Sequence, residues 1–494
     1  MIIFGHSNVY SSGYPVAELE AAVSDGVGLY SFDPHLFDYS SNFNTLITSK
    51  TVTTNSIDIS NTAHYITKEH TPDEFNPSNN VVNLLEDWSV SQKSNLVNPV
   101  TLASMTSSGQ TVSLLQVCGY GDGRIVKWSG YNWVFDDVLG PVYGMDDLIW
   151  RGIVWAARKP FVMQGMPPMV TMRVDDAVGD GRNVTNYFQW LQICNEHGII
   201  PWIGTFNDYI PDDKILILKD LIDNNKVTAS PHAFWWNDFM FYNHDNLPSF
   251  DVVERTQRGL DFYYEHGLKI SKYFIPHYYE ISSEALPLIH DAGCEFIGIH
   301  MLPDNPYYTS MWINSGPYRY NRYGLDDEER PVYYADNINL DGIDFFNCIV
   351  EIRDDGGYEW YPDNDVEATA ARGIRHLRRS FNSMVLASLF THEYYFDDIT
   401  VDNFTQIIDT ITSNITDYNP EYRSMDYALQ YIRAKTNMKI TGTLETDNTV
   451  EISYSGNNDM DTRCYMFTEQ NGEISFRFIE LPQVNGTNQV IVSK

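Results

Sequence analysis

The 494-residue sequence predicts an α/β protein: a seven-stranded β/α barrel over residues 166–436, preceded by a doubly wound α/β domain over 1–165 and followed by a small antiparallel β-sandwich over 437–494. Three observations predict it. Between Met166 and Thr436, short apolar runs alternate seven times with amphipathic helical stretches, the pattern of a parallel sheet clothed by helices. Ahead of that region, the strand-like Ile2-Ile3-Phe4, helical spacing over 16–27 and a second strand-like run over 28–33 make one right-handed crossover unit. Behind it, five short alternating strands are separated by turn signals such as Asn457-Asn458-Asp459, Asn471-Gly472 and Asn485-Gly486.

Size and composition set the bounds. At this length a single core is excluded and about three domains are expected. With 43% apolar residues and 14% aromatics the chain fills cores and is not disordered. Its 66 acids against 32 bases give a net charge of −34, which excludes nucleic acid and anionic membrane as partners, since both need basic patches. No apolar run reaches the ~18 residues of a membrane span. The five cysteines are scattered singly, without CxxC or Cys/His spacing, so neither a thiolate metal site nor a disulfide framework is expected. Met1-Ile2-Ile3-Phe4-Gly5-His6 has no basic region and no long apolar stretch, so no signal peptide is visible. Because a strand starts at once, the first domain is expected to be incomplete at its N-terminus. Oligomeric state is not legible in the sequence.

Within the first domain, strands are expected over 111–118, 123–130 and 133–135, and a helix over 145–159 with Leu148, Ile149, Ile153, Val154 and Ala157 on its apolar face. The run Gly123-Arg124-Ile125-Val126-Lys127-Trp128-Ser129 and the later helix resemble glutamine-amidotransferase-like, flavodoxin-type domains. The nucleophile of those enzymes is a Cys on a tight strand–helix turn. Cys118 is followed instead by Gly-Tyr-Gly-Asp-Gly and another strand, so it reads as structural and the resemblance implies a non-catalytic scaffold.

The barrel strands are informative at their ends. Strand one, Val170-Thr171-Met172-Arg173-Val174, runs into Asp175-Asp176. Two adjacent carboxylates past a buried strand are costly unless solvent, a metal or a base meets them, although a turn or N-cap also uses Asp there. Strand two (199–206) ends near Thr205 and Asn207, strand three (227–230) at Pro231-His232, strand four (273–276) at His277 and strand five (296–299) at His300. Strand six (345–352) ends at Arg353-Asp354-Asp355 and strand seven (385–390) at Thr391-His392-Glu393. Carboxyl ends of parallel barrel strands share one rim, where catalytic groups gather. Only 13 histidines occur in the chain and four of them fall on these ends, which chance accounts for poorly.

The acid pair and the His of strand three resemble the polysaccharide deacetylase family, carbohydrate esterases on a deformed seven-stranded barrel; the resemblance covers 166–436 and rests on short motifs. It implies that Asp175 is the general base, that Asp176 and His232 bind a divalent metal, with zinc expected, and that His392 in Leu389-Phe390-Thr391-His392 is the general acid. The family's second motif has another His four residues after the first, and here that place holds Trp236. His244, on the same loop, is the first candidate for the missing ligand and His277 the other; a site with no third protein ligand stays open as well. The family's third motif places Arg before Pro, whereas Phe274-Ile275-Pro276-His277-Tyr278-Tyr279 keeps the Pro alone. Arg353 and Asp354 are candidates to orient Asp175 or His392. Trp235, Trp236, Tyr278, Tyr279, Tyr307, Tyr308 and Trp312 are candidates to stack on sugar, although aromatic packing under loops explains such residues equally. The acidic run over 354–365 lacks the alternating spacing of a calcium loop.

The function expected is therefore metal-dependent removal of acetyl groups from an N- or O-acetylated polysaccharide, in a secreted or cell-surface setting. The alternatives are a non-catalytic carbohydrate-binding or structural protein on a decayed barrel, and a glycoside hydrolase pairing Asp175 with Asp354 or Glu351. The C-terminal sandwich is expected to be a stabilising module, with carbohydrate binding as the alternative.

Overall fold

The computed structural model describes residues 1–4, 15–32, 47–54, 57–59, 61–70, 82–88, 96–129, 146–179, 187–298, 303–304, 337–346, 349–352, 360 and 362–494. The chain divides into two compact units. One comprises Met1–Leu139, Tyr143–Gly165 and Met438–Lys494; the other comprises Gly140–Val142 and Met166–Asn437. Met438–Lys494, within the stretch expected as a C-terminal module, falls in the same unit as the N-terminal residues.

The second unit is a mixed α/β structure built on parallel sheets. Its central strand, Met169–Ala177, is flanked in parallel by Pro201–Phe206 on one side and Leu386–His392 on the other. Thr228–Ala233 extends the sheet beyond Pro201–Phe206, and Ile349–Ile352 extends it beyond Leu386–His392. Burial on both faces explains why these strands read as unbroken apolar runs. A second ladder joins Tyr273–Phe274, Phe296–Gly298 and Ile343–Phe346 in parallel, with Asn337–Leu340 antiparallel at its edge. The first three strands thus follow one another across one sheet, the fourth and fifth pair in the other, and the seventh lies beside the first.

Two features depart from the expected barrel. The sixth strand is divided: Ile343–Phe346 pairs with the fifth strand and Ile349–Ile352 with the seventh, so its two halves belong to different sheets. Among the described residues, no ladder joins the third strand to the fourth. Single bonds cross there instead, Ser271 N to Ala229 O at 2.7 Å and His232 Nδ1 to Ile275 O at 2.7 Å, and Trp202 of the second strand reaches Tyr273 O through Nε1 at 3.0 Å.

The helices lie on the outer side. Val252–His266 starts at Asp251, whose side chain accepts from Glu254 N, and stops at Gly267 in the left-handed region, φ +62°. Val366–Asn382 and Val401–Ser413 are capped likewise by Asp365 and Thr400. Their buried Leu377, Phe381, Phe404, Ile407, Ile408 and Ile411 join Val170, Met172, Val174, Ala387 and Leu389 in one core.

The first unit holds a mixed sheet. Ile2–Phe4, Leu29–Ser31 and Gly123–Trp128 are parallel, with the helix Val16–Ser24 between the first two. Gln110–Tyr120, Val97–Ser107 and Ile57–Ile59 follow in antiparallel order, in place of the parallel strands of a doubly wound fold. The reason is local. Ser108 and Gly109 both have positive φ, which is the two-residue turn that folds a strand straight back on itself. Cys118 lies within one of these antiparallel strands, and burial pushes its thiol up to about 12. The expected strand over 133–135 lies outside the described residues.

The same unit contains the sandwich. Met438–Glu445, Thr449–Asn457 and Asn485–Ser493 form one antiparallel sheet. The other consists of Thr462–Gln470, Glu473–Leu481 and Phe161–Gln164. Phe161–Gln164, inside the 1–165 bounds expected for the first domain, is the third strand of this sheet by its pairing. Between the sheets lie Val450, Ile452, Cys464, Met466, Ile479 and Leu481, contributed by alternating positions. Among the described residues, no helix is long and apolar enough to cross a membrane.

Candidate metal centre and its surroundings

Adjacent residues of a regular strand point to opposite faces. Asp175 and Asp176 escape this rule because the central strand slips register against Pro201–Phe206 between Val174 and Ala177, and Asp176 adopts a left-handed φ of +61°. Both carboxylates then meet one imidazole. His232 Nε2 stands 3.7 Å from Asp175 Oδ2 and 3.4 Å from Asp176 Oδ1.

His232 ends the third strand and is 2% exposed. Its Nδ1 lies 2.7 Å from Ile275 O. The neighbouring strand passes so close that a Cβ on Gly204 would stand 2.9 Å from His232 Cγ, so this strand must carry glycine where the ring lies. His277 follows the fourth strand; its Nε2 lies 3.0 Å from Trp236 O, and its Nδ1 faces His232 Nε2 at 3.1 Å and Asp176 Oδ1 at 3.4 Å.

These contacts assign the protons. A backbone carbonyl only accepts, so the ring nitrogen facing it carries hydrogen, and in a neutral imidazole the other nitrogen presents a lone pair. Two lone pairs and a carboxylate oxygen therefore converge at Asp176, His232 and His277, whose ligand atoms all lie within 4.8 Å of one another. Asp176 Oδ1 is buried without a hydrogen-bond partner. One carboxylate and two imidazoles form a donor set for a divalent transition ion, and the group fits one.

The electrostatics agree. Burial works against ionising Asp176, but the facing imidazoles of His232 and His277, with His392 beyond, hold its carboxyl far below the usual range. Burial likewise opposes the charge on Asp175, and Arg173, His232 and His392 outweigh it downward. Burial disfavours the His232 imidazolium, yet Asp175 and Asp176 raise its pKa overall. The pocket calls for positive charge, from a proton or a metal.

Arg173 is the residue that sequence reading missed. Its Nε donates to Asp175 Oδ1 at 2.7 Å and its Nη2 to Asp175 Oδ2. At 1% exposure it lies against Phe390 at 4.3 Å and Tyr279 at 5.0 Å from the ring centroids. Its signal was the Arg-Val-Asp spacing, which puts Arg173 and Asp175 on one face of the strand. Asp175 is oriented from its own strand, whereas Arg353, Asp354 and Asp355 lie outside the described residues. A second missed residue is Glu393, 2% exposed, which accepts from Val178 N, Gly179 N and Trp190 Nε1 and so ties the seventh strand to the loop beyond the acid pair.

His392 is the register partner of Asp175 on the neighbouring strand, and its Nε2 lies 3.9 Å from Asp176 Oδ2. Of the two candidates for the missing ligand, His277 belongs to the convergent group and His244 does not. His244 Nδ1 bonds instead to Glu280 Oε2 at 2.7 Å. Trp235 is half-buried and stacks on the exposed Tyr209 at 3.8 Å, and Trp236 is 55% exposed, so this rim offers aromatic surface to solvent. Tyr278 and Tyr279 both take left-handed φ, +53° and +57°, conformations that cost on the order of 1–3 kcal/mol each.

No protein-family model matches the sequence, and no curated protein matches it. Among solved structures, 54% of the chain aligns with 88% of a chitin deacetylase from the fungal pathogen Colletotrichum lindemuthianum, at 14% identity and a TM-score of 0.30. A family 4 carbohydrate esterase from Streptomyces lividans aligns over 52% of this chain and 91% of its own, at 10% identity and a TM-score of 0.27. A family 4 acetyl xylan esterase from Clostridium thermocellum aligns over 53% and 91%, at 10% identity and a TM-score of 0.28. At these scores no residue role passes from those proteins to this one.

Of the remaining expected site residues, His300, Tyr307, Tyr308 and Trp312 lie outside the described residues. The side chain of Glu351 does as well.

Proposed function

We propose that this protein is a metal-assisted hydrolase that removes acetyl groups from an acetylated polysaccharide. The observation that carries the reading is the convergence of Asp176, His232 and His277 beside Asp175 and His392, at the ends of neighbouring parallel strands. The acid-pair motif supports the substrate class, and the exposed Tyr209 and Trp236 beside the half-buried Trp235 supply faces for a sugar ring.

In this reading Asp176, His232 and His277 hold the ion, with His277 in the place that Trp236 leaves vacant. Such an ion, when bound, polarises an acyl carbonyl and acidifies water. Asp175 takes the proton of the attacking water. Arg173 keeps that carboxylate ionised and fixes its orientation, and Ile275 O and Trp236 O hold the two histidines in the tautomers that leave lone pairs at the site. His392, protonated, gives a proton to the departing amine or alcohol.

Metal analysis of the purified protein, followed by acetate release from chitooligosaccharides and acetylated glycans, tests the proposal. A stoichiometric divalent ion and an acetate rate that falls about 10²–10⁴-fold in Asp175→Asn are expected. Release of reducing ends without acetate points to a glycoside hydrolase. Neither product together with no bound metal leaves a non-catalytic barrel.

A further inference from the structure

We propose that His244 and Glu280 are a positioning pair that holds the turn over residues 276–280 in the shape that aims His277 at Asp176 and His232. The proposal deepens the metal reading and rests on it for its functional meaning.

The turn needs an external hold. Tyr278 and Tyr279 occupy consecutive left-handed positions, φ +53° and +57°, which L-residues disfavour. Bonds within the turn are short-range, from Tyr279 N to Pro276 O at 3.1 Å and from Glu280 N to His277 O at 3.3 Å. His244 grips it from outside at two points. Its Nδ1 lies 2.7 Å from Glu280 Oε2, and because a carboxylate only accepts, His244 is the donor. Its ring lies nearly flat on Tyr278, 5.0 Å between centroids at 14°. Phe239 closes the group, 4.6 Å from His244, 5.6 Å from Tyr278 and 5.8 Å from His277. Glu280 is 2% exposed, so its bond to His244 is sheltered from water. A loop histidine thus holds the first residue of the strained pair and the residue that follows the pair, and the clamp sets the direction of a metal donor that it never touches.

His244→Phe keeps a ring on Tyr278 and removes the N–H. Glu280→Gln keeps the shape and an acceptor oxygen, and removes the charge. Hydrogen exchange at Tyr279 and Glu280, measured on the metal-free protein, is expected to quicken in His244→Phe and less so in Glu280→Gln. Cobalt affinity, by chelator competition, is expected to fall about 10–100-fold in His244→Phe, with the visible spectrum of the bound ion unchanged. Unaltered exchange in both variants overturns the proposal. A spectrum that loses an imidazole in His244→Phe overturns it too, since His244 would then be a ligand. If the wild type binds no cobalt, the metal reading fails, while the exchange rates still decide whether the pair holds the turn. If His244→Phe does not fold, Glu280→Gln decides alone: unchanged exchange and affinity together reject the clamp.

Discussion

His232 Nε2 and His277 Nδ1 face each other at 3.1 Å, each with its other ring nitrogen occupied by a backbone carbonyl. Two lone pairs at hydrogen-bond distance repel unless a proton or a cation lies between them, and Asp176 Oδ1 adds a third donor to the same point.

A divalent ion is therefore expected to stabilise the fold. At a hundredfold excess over its Kd, an ion that binds only the native state adds about 2.7 kcal/mol. Thermal unfolding with zinc or cobalt against EDTA reads this as a rise of several degrees in Tm, and Asp176→Asn is expected to erase it. Superimposable wild-type curves with and without metal contradict the prediction.

Gly204 keeps the second strand clear of His232. Gly204→Ala places a Cβ 2.9 Å from His232 Cγ, and one of the two must shift. Overpacking of this kind costs about 1–3 kcal/mol. On the proposed function, the displaced imidazole is expected to lower metal affinity at least about tenfold. Chelator competition and urea unfolding measure the two effects, and a variant with wild-type affinity refutes the contact.

Arg173 and Asp175 form a buried pair, so removing one partner strands the other. Arg173→Met is expected to cost about 3–5 kcal/mol, and much less when Asp175→Asn is already present. A double-mutant cycle by urea unfolding checks the coupling. Additive losses show that the bidentate contact is absent in solution.

Arg124 forks onto Glu469 at 2.9 Å and 2.5 Å across 345 residues of sequence. That hydrogen bonding, against a smaller opposing effect of burial, depresses the Glu469 pKa. A depressed carboxyl contributes stability that is present above its unfolded pKa of about 4.3 and is lost as pH falls through the folded value. Glu469→Gln is expected to lower Tm at neutral pH and to converge with the wild type in acid. A Tm difference that stays constant down to about pH 3 rules out this linkage.

Much of the parallel-sheet unit was legible because its signals are local. The strand Met169–Ala177 and the helices Asp212–Asp223, Val252–His266 and Val366–Asn382 follow from apolar period within a few residues. The mixed sheet of the first unit was not legible in full. Its parallel strands obey the crossover pattern, but the pairings of Val97–Ser107 and Ile57–Ile59 depend on partners chosen in three dimensions. Phe161–Gln164 is a sharper case. No strand was expected there, and nothing in its sequence says that it pairs with Thr462–Gln470, about three hundred residues on.

The same division runs through the candidate site. By itself the sequence determined which chemistry is present at the strand ends: Asp175, Asp176, His232, His277 and His392 are set there by the period of the strands. Tertiary structure alone decided which of them meet, because a few ångströms separate a ligand from a bystander and that distance is set by a bulge, a glycine and a strained turn. The slip between Val174 and Ala177 turns Asp176 toward His232, and Gly204 makes room for the ring. The left-handed pair Tyr278-Tyr279 leaves His277 in the group, while His244 is drawn away by Glu280.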